Sequence, residues 1–245
     1  MESVKLMMRL RKLGLLTAAL LLTALSMRGM DFGSPDNRPY ADMKRWHLGF
    51  SVGMHFQDMQ FTHSGIPGAD GSEWYAEVPS WSPGFCVNVM ADLRLHSNVN
   101  LRFSPGMYFG SKTVEFLDHA SLSAERQTVK SAYVVLPVEV KLSGARLRNA
   151  RPYVTAGVMG AFDIGKKTPE ILDFNKADAY LTVGLGCDFY LPFFKLIPEV
   201  KFCFGLTDIL RHNRPDLADA PGLMAMTQAL KKVKSNMLVF NFYFE

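Results

Sequence analysis

Eight segments of this chain alternate apolar and polar residues with a period of two, and the apolar side carries no charge in any of them. From Trp46 the even positions read Trp46, Leu48, Phe50, Val52, Met54, Phe56, while the odd positions hold His47, Gly49, Ser51, Gly53 and His55. The same pattern returns over 85–95, 99–109, 132–142, 154–162, 181–191, 196–206 and 238–244. The only breaks on the apolar face are Pro105, Pro152, Pro198 and Gly160, none of them polar. Such alternation places successive side chains on opposite faces of an extended strand.

The opposite face holds every charge within these segments: Asp92, Arg94, Arg102, Glu139, Lys141, Asp163, Asp188, Glu199 and Lys201. Segments of about 10–14 residues suit tilted strands that cross a bilayer in ~9–11 residues. Sandwich strands are shorter, usually ~5–6 residues. The connections alternate in length as well. Short ones fall at 95–98, 143–150 and 192–195; long ones at 57–83, 110–129, 165–179 and 207–235. Outer-membrane barrels show this rhythm, with short periplasmic turns and long extracellular loops. The expectation is an all-β fold: an eight-stranded antiparallel transmembrane barrel with both termini in the periplasm. Trp46, Phe193, Phe194 and Phe244 stand near strand ends, where aromatic girdles form.

The N-terminus supports export. Lys5, Arg9, Arg11 and Lys12 precede an uncharged run, Leu13–Leu25, and Ala24 and Ser26 are small residues suited to a signal-peptidase site. The run has 13 residues, too few for a membrane-spanning helix of ~20. The predicted organisation is therefore a cleavable signal at 1–26, a short periplasmic segment at 27–45 and a barrel at 46–245. Loss of 1–26 removes four cations and Glu2, so the net charge falls from +4 to +1. Nucleic acid is excluded as a partner on that balance.

A barrel of eight strands has an interior that side chains fill. Five acidic and four basic residues face inward, so a salt-bridged plug is expected, since unpaired charges there would be costly. His47, Ser51 and His55 share the inward face, but the two histidines are ~26 Å apart along a strand, too far for one metal or one nucleophile. Cys86 and Cys203 face inward and Cys187 outward, which opposes a Cys187–Cys203 bridge. No catalytic residue, metal, cofactor or small-molecule substrate is expected. The loops supply the candidate contacts: Trp74, Tyr75 and Trp81 in the first, and Met224, Met226, Lys231, Lys232 and Lys234 in the last. The three lysines are placed just before the final strand, as a solvated basic edge or as a contact for lipopolysaccharide phosphates.

Three stretches carry a family resemblance. YVVLPVEVKL at 133–142 and RPYVTAG at 151–157 recur in many barrels, whereas GLGCDFYLPFFKLIPEVKFCFGLTDIL at 184–210 is more specific, and LVFNFYFE ends the sequence. Over roughly residues 46–245 the chain resembles the PorT family of outer-membrane proteins. The resemblance implies a component of type IX (Por) secretion, needed for export and maturation of cargo with C-terminal signals, such as secreted proteases or gliding adhesins. It implies other secretion components and outer-membrane lipid as partners, and supplies no catalytic motif. The alternative is a binding, adhesion or structural barrel with no secretion role.

Overall fold

The computed structural model describes residues 37–63, 74–77, 83–118, 124–165, 173–211 and 230–245. The predicted signal at 1–26, part of the segment at 27–45, and Trp81, Met224 and Met226 lie outside them. The described residues belong to one compact unit, Asn37–Glu245.

The described residues form ten strands: β1 (Trp46–His63), β2 (Trp74–Glu77), β3 (Pro83–Arg94), β4 (Val99–Phe103), β5 (Gly106–Asp118), β6 (Ala124–Ser143), β7 (Ala150–Asp163), β8 (Ala177–Tyr190), β9 (Lys195–Gly205) and β10 (Leu230–Phe244). All pairings are antiparallel, and β1 pairs with both β10 and β3, so the sheet closes on itself. β4 and β5 are one strand of the ring, interrupted at Ser104–Pro105; both pair with β3 and β6. Proline has no N–H to give the ladder, and the Pro105 carbonyl still accepts the Val89 N–H at 2.9 Å. With β2 attached only to β5, the ring has eight strands. Closure leaves the eight-stranded wall without an unpaired edge.

The outer face is apolar and exposed. Trp46, Leu48, Phe50, Val52 and Met54 on β1 are all exposed, as are Val154, Val158 and Phe162 on β7 and Leu181, Val183 and Leu185 on β8. A continuous belt of this size does not persist in water, and a closed sheet with lipid-facing apolar residues is the β-structure a bilayer accepts. From Trp46 to Phe56 the belt rises about 25 Å for strands tilted ~40°. Aromatics brace it: Phe50 stacks on Phe244 at 5.3 Å, Phe85 on Phe109 at 4.9 Å, and Phe194 leans on Phe244 at 6.0 Å.

One expectation changes here. The long connections are partly strand: β5 and β6 stay paired as far as Leu117 and Ala124, and β1 and β10 as far as His63 and Leu230. Lys231, Lys232 and Lys234 therefore sit in β10 itself rather than in a loop before it. Beyond Phe56 the outward side of β1 turns to Asp58, Gln60 and Thr62, opposite Asn236, Lys234 and Lys232. The alternation continues after its apolar half has stopped, so hydropathy no longer marks the strand.

Candidate functional site

Inside the ring the strands bring charges to shared rungs. Register sets Asp92 on β3 opposite Arg102 on β4, and Arg102 opposite Glu139 on β6. Arg102 is fully buried and grips Asp92 with two hydrogen bonds, Nε to Oδ1 at 2.8 Å and Nη2 to Oδ2 at 3.0 Å. Its Nη1 reaches across the lumen to Glu199 Oε2 on β9 at 2.7 Å. Tyr153 donates to that same oxygen at 2.7 Å and Tyr243 to Oε1 at 3.3 Å. The Arg102 guanidinium lies 5.2 Å and 4.9 Å from the centres of those two rings. Planar, fork-shaped Arg suits a site with two carboxylates and two aromatic faces.

The network extends in both directions. Lys201 binds Glu139 at 2.7 Å and Glu199 at 3.3 Å, and Thr182 donates to Glu139 at 2.8 Å. Lys141 binds Asp188 at 2.8 Å and lies 3.8 Å from Asp92. Lys195 stands 3.9 Å from Asp188 and 2.8 Å from Glu245, whose other oxygen meets His47 Nδ1 at 2.7 Å. Five carboxylates and four Lys or Arg side chains, with His47, thus form one chain of contacts. Burial would raise the Glu245 carboxyl, but the His47 hydrogen bond and the Lys195 charge hold it down at about 2. Each buried ion has more than one partner, which offsets the desolvation that makes such charges costly.

Inward glycines make room for these groups. A Cβ on Gly186 would lie 2.3 Å from the Tyr153 hydroxyl and 2.4 Å from its Cζ. Gly186 is the register partner of both Tyr153 and Glu199. Without it Tyr153 could not lie flat against the wall and reach Glu199.

Of the nine inward charges read from the sequence, Asp92, Arg102, Glu139, Lys141, Asp188, Glu199 and Lys201 meet in this network. Asp163 stands apart at the other end of β7, accepting the Gly165 N–H at 2.9 Å. Arg94 lies at the end of β3 and makes no ion pair among the described residues; its backbone N–H donates to Arg45 at 2.9 Å. The sequence reading left Lys195, Glu245, Tyr153, Tyr243 and Thr182 out of the network. Their parity gives them away: Lys195 shares it with Glu199 and Lys201, and Glu245 with Asn241 and Tyr243.

The inward face is also less polar than its charges suggest. Beyond the ion pairs, Cys86, Tyr108, Val135, Met159, Ala161, Tyr180, Cys203, Met237 and Val239 pack into a buried apolar cluster. The lumen is therefore charged toward the tight turns and mainly apolar beyond them, with His55, Gln57, Ser131, Asp178 and Ser235 buried among the apolar side chains. Ser51 accepts a hydrogen bond from Asn88 at 2.9 Å, and His55 stacks on Tyr108 at 5.2 Å, so neither joins His47. All three cysteines are free. Among the described residues no three His, Cys, Asp or Glu side chains converge on a metal position. Of the loop candidates, β2 carries Trp74 and Tyr75, and Lys231 is exposed while Lys232 and Lys234 are half-buried.

Residues 32–211 match the outer membrane protein beta-barrel domain. The chain belongs to that family. It is accordingly an outer-membrane β-barrel protein, and the belt of exposed apolar residues is its lipid face. Solved structures with similar chains include Neisserial surface protein A at 9% identity and a TM-score of 0.42, covering 82% of this chain and 98% of that one. OprG of Pseudomonas aeruginosa gives 11% and 0.46, covering 81% and 92%. Ail of Yersinia pestis gives 10% and 0.35, covering 82% and 99%. No curated protein matches this outer-membrane barrel.

Proposed function

We infer that this outer-membrane barrel is a non-enzymatic component of type IX secretion, needed for export and maturation of cargo with C-terminal signals, and that it works through its ends. The geometric support is the filled lumen: ion pairs close one half and an apolar cluster the other, which leaves its surfaces for contact with other machinery. The secretion assignment is supported by the resemblance in 184–210, which forms most of the β8–β9 hairpin. The short turns and both termini face the periplasm in this reading, and the long connections face outward. Trp74, Tyr75, Trp81, Met224 and Met226 are then outer contacts. Lys231, Lys232 and Lys234 meet lipopolysaccharide phosphates, because β10 carries them just beyond the apolar belt.

The test is the fate of cargo bearing the C-terminal secretion signal in a strain lacking this gene. Unprocessed cargo should accumulate in the periplasm and be delivered again when the gene is restored. Normal surface delivery would reject the secretion role and favour a binding or structural barrel.

A further inference from the structure

The end of the barrel that carries the tight turns is capped by residues 37–45. Asn37 N–H donates to Asn149 Oδ1 at 2.8 Å and its amide to the Tyr190 carbonyl at 3.0 Å, while Arg38 Nη1 reaches the Glu245 carbonyl at 3.2 Å. A 3₁₀ turn, Ala41–Met43, follows. Ala41 is buried, and Asp42 accepts the Tyr190 hydroxyl at 2.6 Å. Tyr190 faces the lumen, so the turn lies over the mouth with one side inward. Its other side presents Tyr40 and Met43, 73% and 68% exposed.

Arg146 holds this cap in place. From the β6–β7 turn it donates Nε to the Arg148 carbonyl at 2.6 Å and Nη1 to the Arg38 carbonyl at 3.2 Å, and Nη2 donates to the Asn37 carbonyl. Both Arg38 and Arg148 are held at positive φ, 50° and 54°, and they are the only non-glycine residues so placed among the described ones. Left-handed conformations at ordinary residues persist where the surroundings impose them, and they gather at functional surfaces.

The charge of this face is one-sided among the described residues. Arg38, Lys44, Arg45, Arg94, Arg146 and Arg151 are set against Asp42, since Glu245 and Asp188 are already held by Lys195 and Lys141. Asp42 is itself shared by Arg146 at 3.7 Å and Arg151 at 3.6 Å. We propose that this capped end is a preformed docking face for an acidic protein segment that carries apolar side chains among its carboxylates, binding Tyr40 and Met43 between the surrounding cations. A protein is favoured over lipid headgroups because the turn that carries Tyr40 and Met43 is held to the lumen-facing Tyr190 through Asp42, with Ala41 buried beneath it, rather than to the apolar outer belt. The inference deepens the secretion reading, on which it rests for the partner being secretion machinery.

The test uses the full chain in phosphatidylcholine nanodiscs and a short fluorescein-labelled peptide of mixed Glu and Leu, followed by anisotropy. Two exposed cations reversed together, Lys44→Glu and Arg45→Glu, should weaken binding about tenfold or more, because like charges then face each other. Tyr40→Ser with Met43→Ser should weaken it about threefold or more while leaving its salt dependence intact. A shift in gel mobility on heating checks that each variant still folds. Absence of peptide binding by the native barrel would overturn the proposal, as would indifference to either set of substitutions. Selective recovery of phosphatidylglycerol with the barrel from mixed nanodiscs, lost on charge reversal and without peptide binding, would overturn it in favour of a headgroup contact. The secretion reading fails separately: peptide binding stands or falls in vitro whatever cargo does in the deletion strain.

Discussion

At Glu245 three effects meet: burial disfavours the charged carboxylate, while the His47 hydrogen bond and the Lys195 ammonium favour it more strongly. The carboxyl is held at about 2 in the folded chain, against an ordinary value of 4.5. Between those values the unfolded chain takes up the proton and the folded one does not, so acid favours unfolding. The contribution of Glu245 is complete above about pH 4.5 and disappears as pH falls toward 2. A gain of about 1–3 kcal/mol follows from such a shift after allowance for residual solvent. Urea midpoints in detergent micelles at pH 6 and pH 3 measure it. The native barrel should lose more between the two than Glu245→Gln does, and parallel losses would show that Glu245 contributes nothing.

At the scale of elements, β5 and β6 outrun the barrel wall. Past Gly110 and Ser131 they pair with each other, and β5 also with the short β2. Replacing 114–127 by a tight turn removes that projection and the β5 residues that β2 pairs with, but keeps the wall pairings, so the barrel should refold with an unfolding free energy shifted by less than ~1 kcal/mol. A chain that no longer folds would show that the hairpin extension is needed to close the ring. The same region shows where sequence reading stops. Period-two hydropathy located all eight wall strands because lipid outside and packed lumen inside impose opposite demands on alternate residues. Above the bilayer the outward face meets water while the inward face stays buried, so Asp58, Gln60, Lys232 and Lys234 continue the strands without the apolar outer face that reveals them. Seven of the nine inward charges were legible as a set, because parity alone decides which face they take. Their pairings were not. Arg102 reaches Glu199 and Lys201 reaches Glu139 across the lumen, between strands that are not neighbours.

For the whole molecule the two fillings of the lumen have different consequences. The ion-pair network alone would leave a hydrated, polarisable interior through which small ions could exchange places with bound charges. The apolar cluster narrows that route, since Val135 and Val239 are fully buried and Met159, Ala161 and Tyr180 are almost so, and apolar side chains offer an ion no partner. The network and the cluster are stacked in series along the strands: β6 carries Lys141 and Glu139 toward its β7 turn and Val135 farther on, and β8 carries Asp188 near its β9 turn and Tyr180 farther back. An ion would need to pass both. The barrel reconstituted in a planar bilayer should therefore show no stable conductance, and weakening the charged layer alone, by Arg102→Ala, should not create one, although it leaves Asp92 and Glu199 without their shared partner and costs about 3–5 kcal/mol of stability. Discrete channels in the native protein would show that the lumen opens. Channels appearing only with Arg102→Ala would make the charged layer the seal and the apolar cluster permeable. Silence in both would leave the ends of the barrel as the surfaces through which it acts.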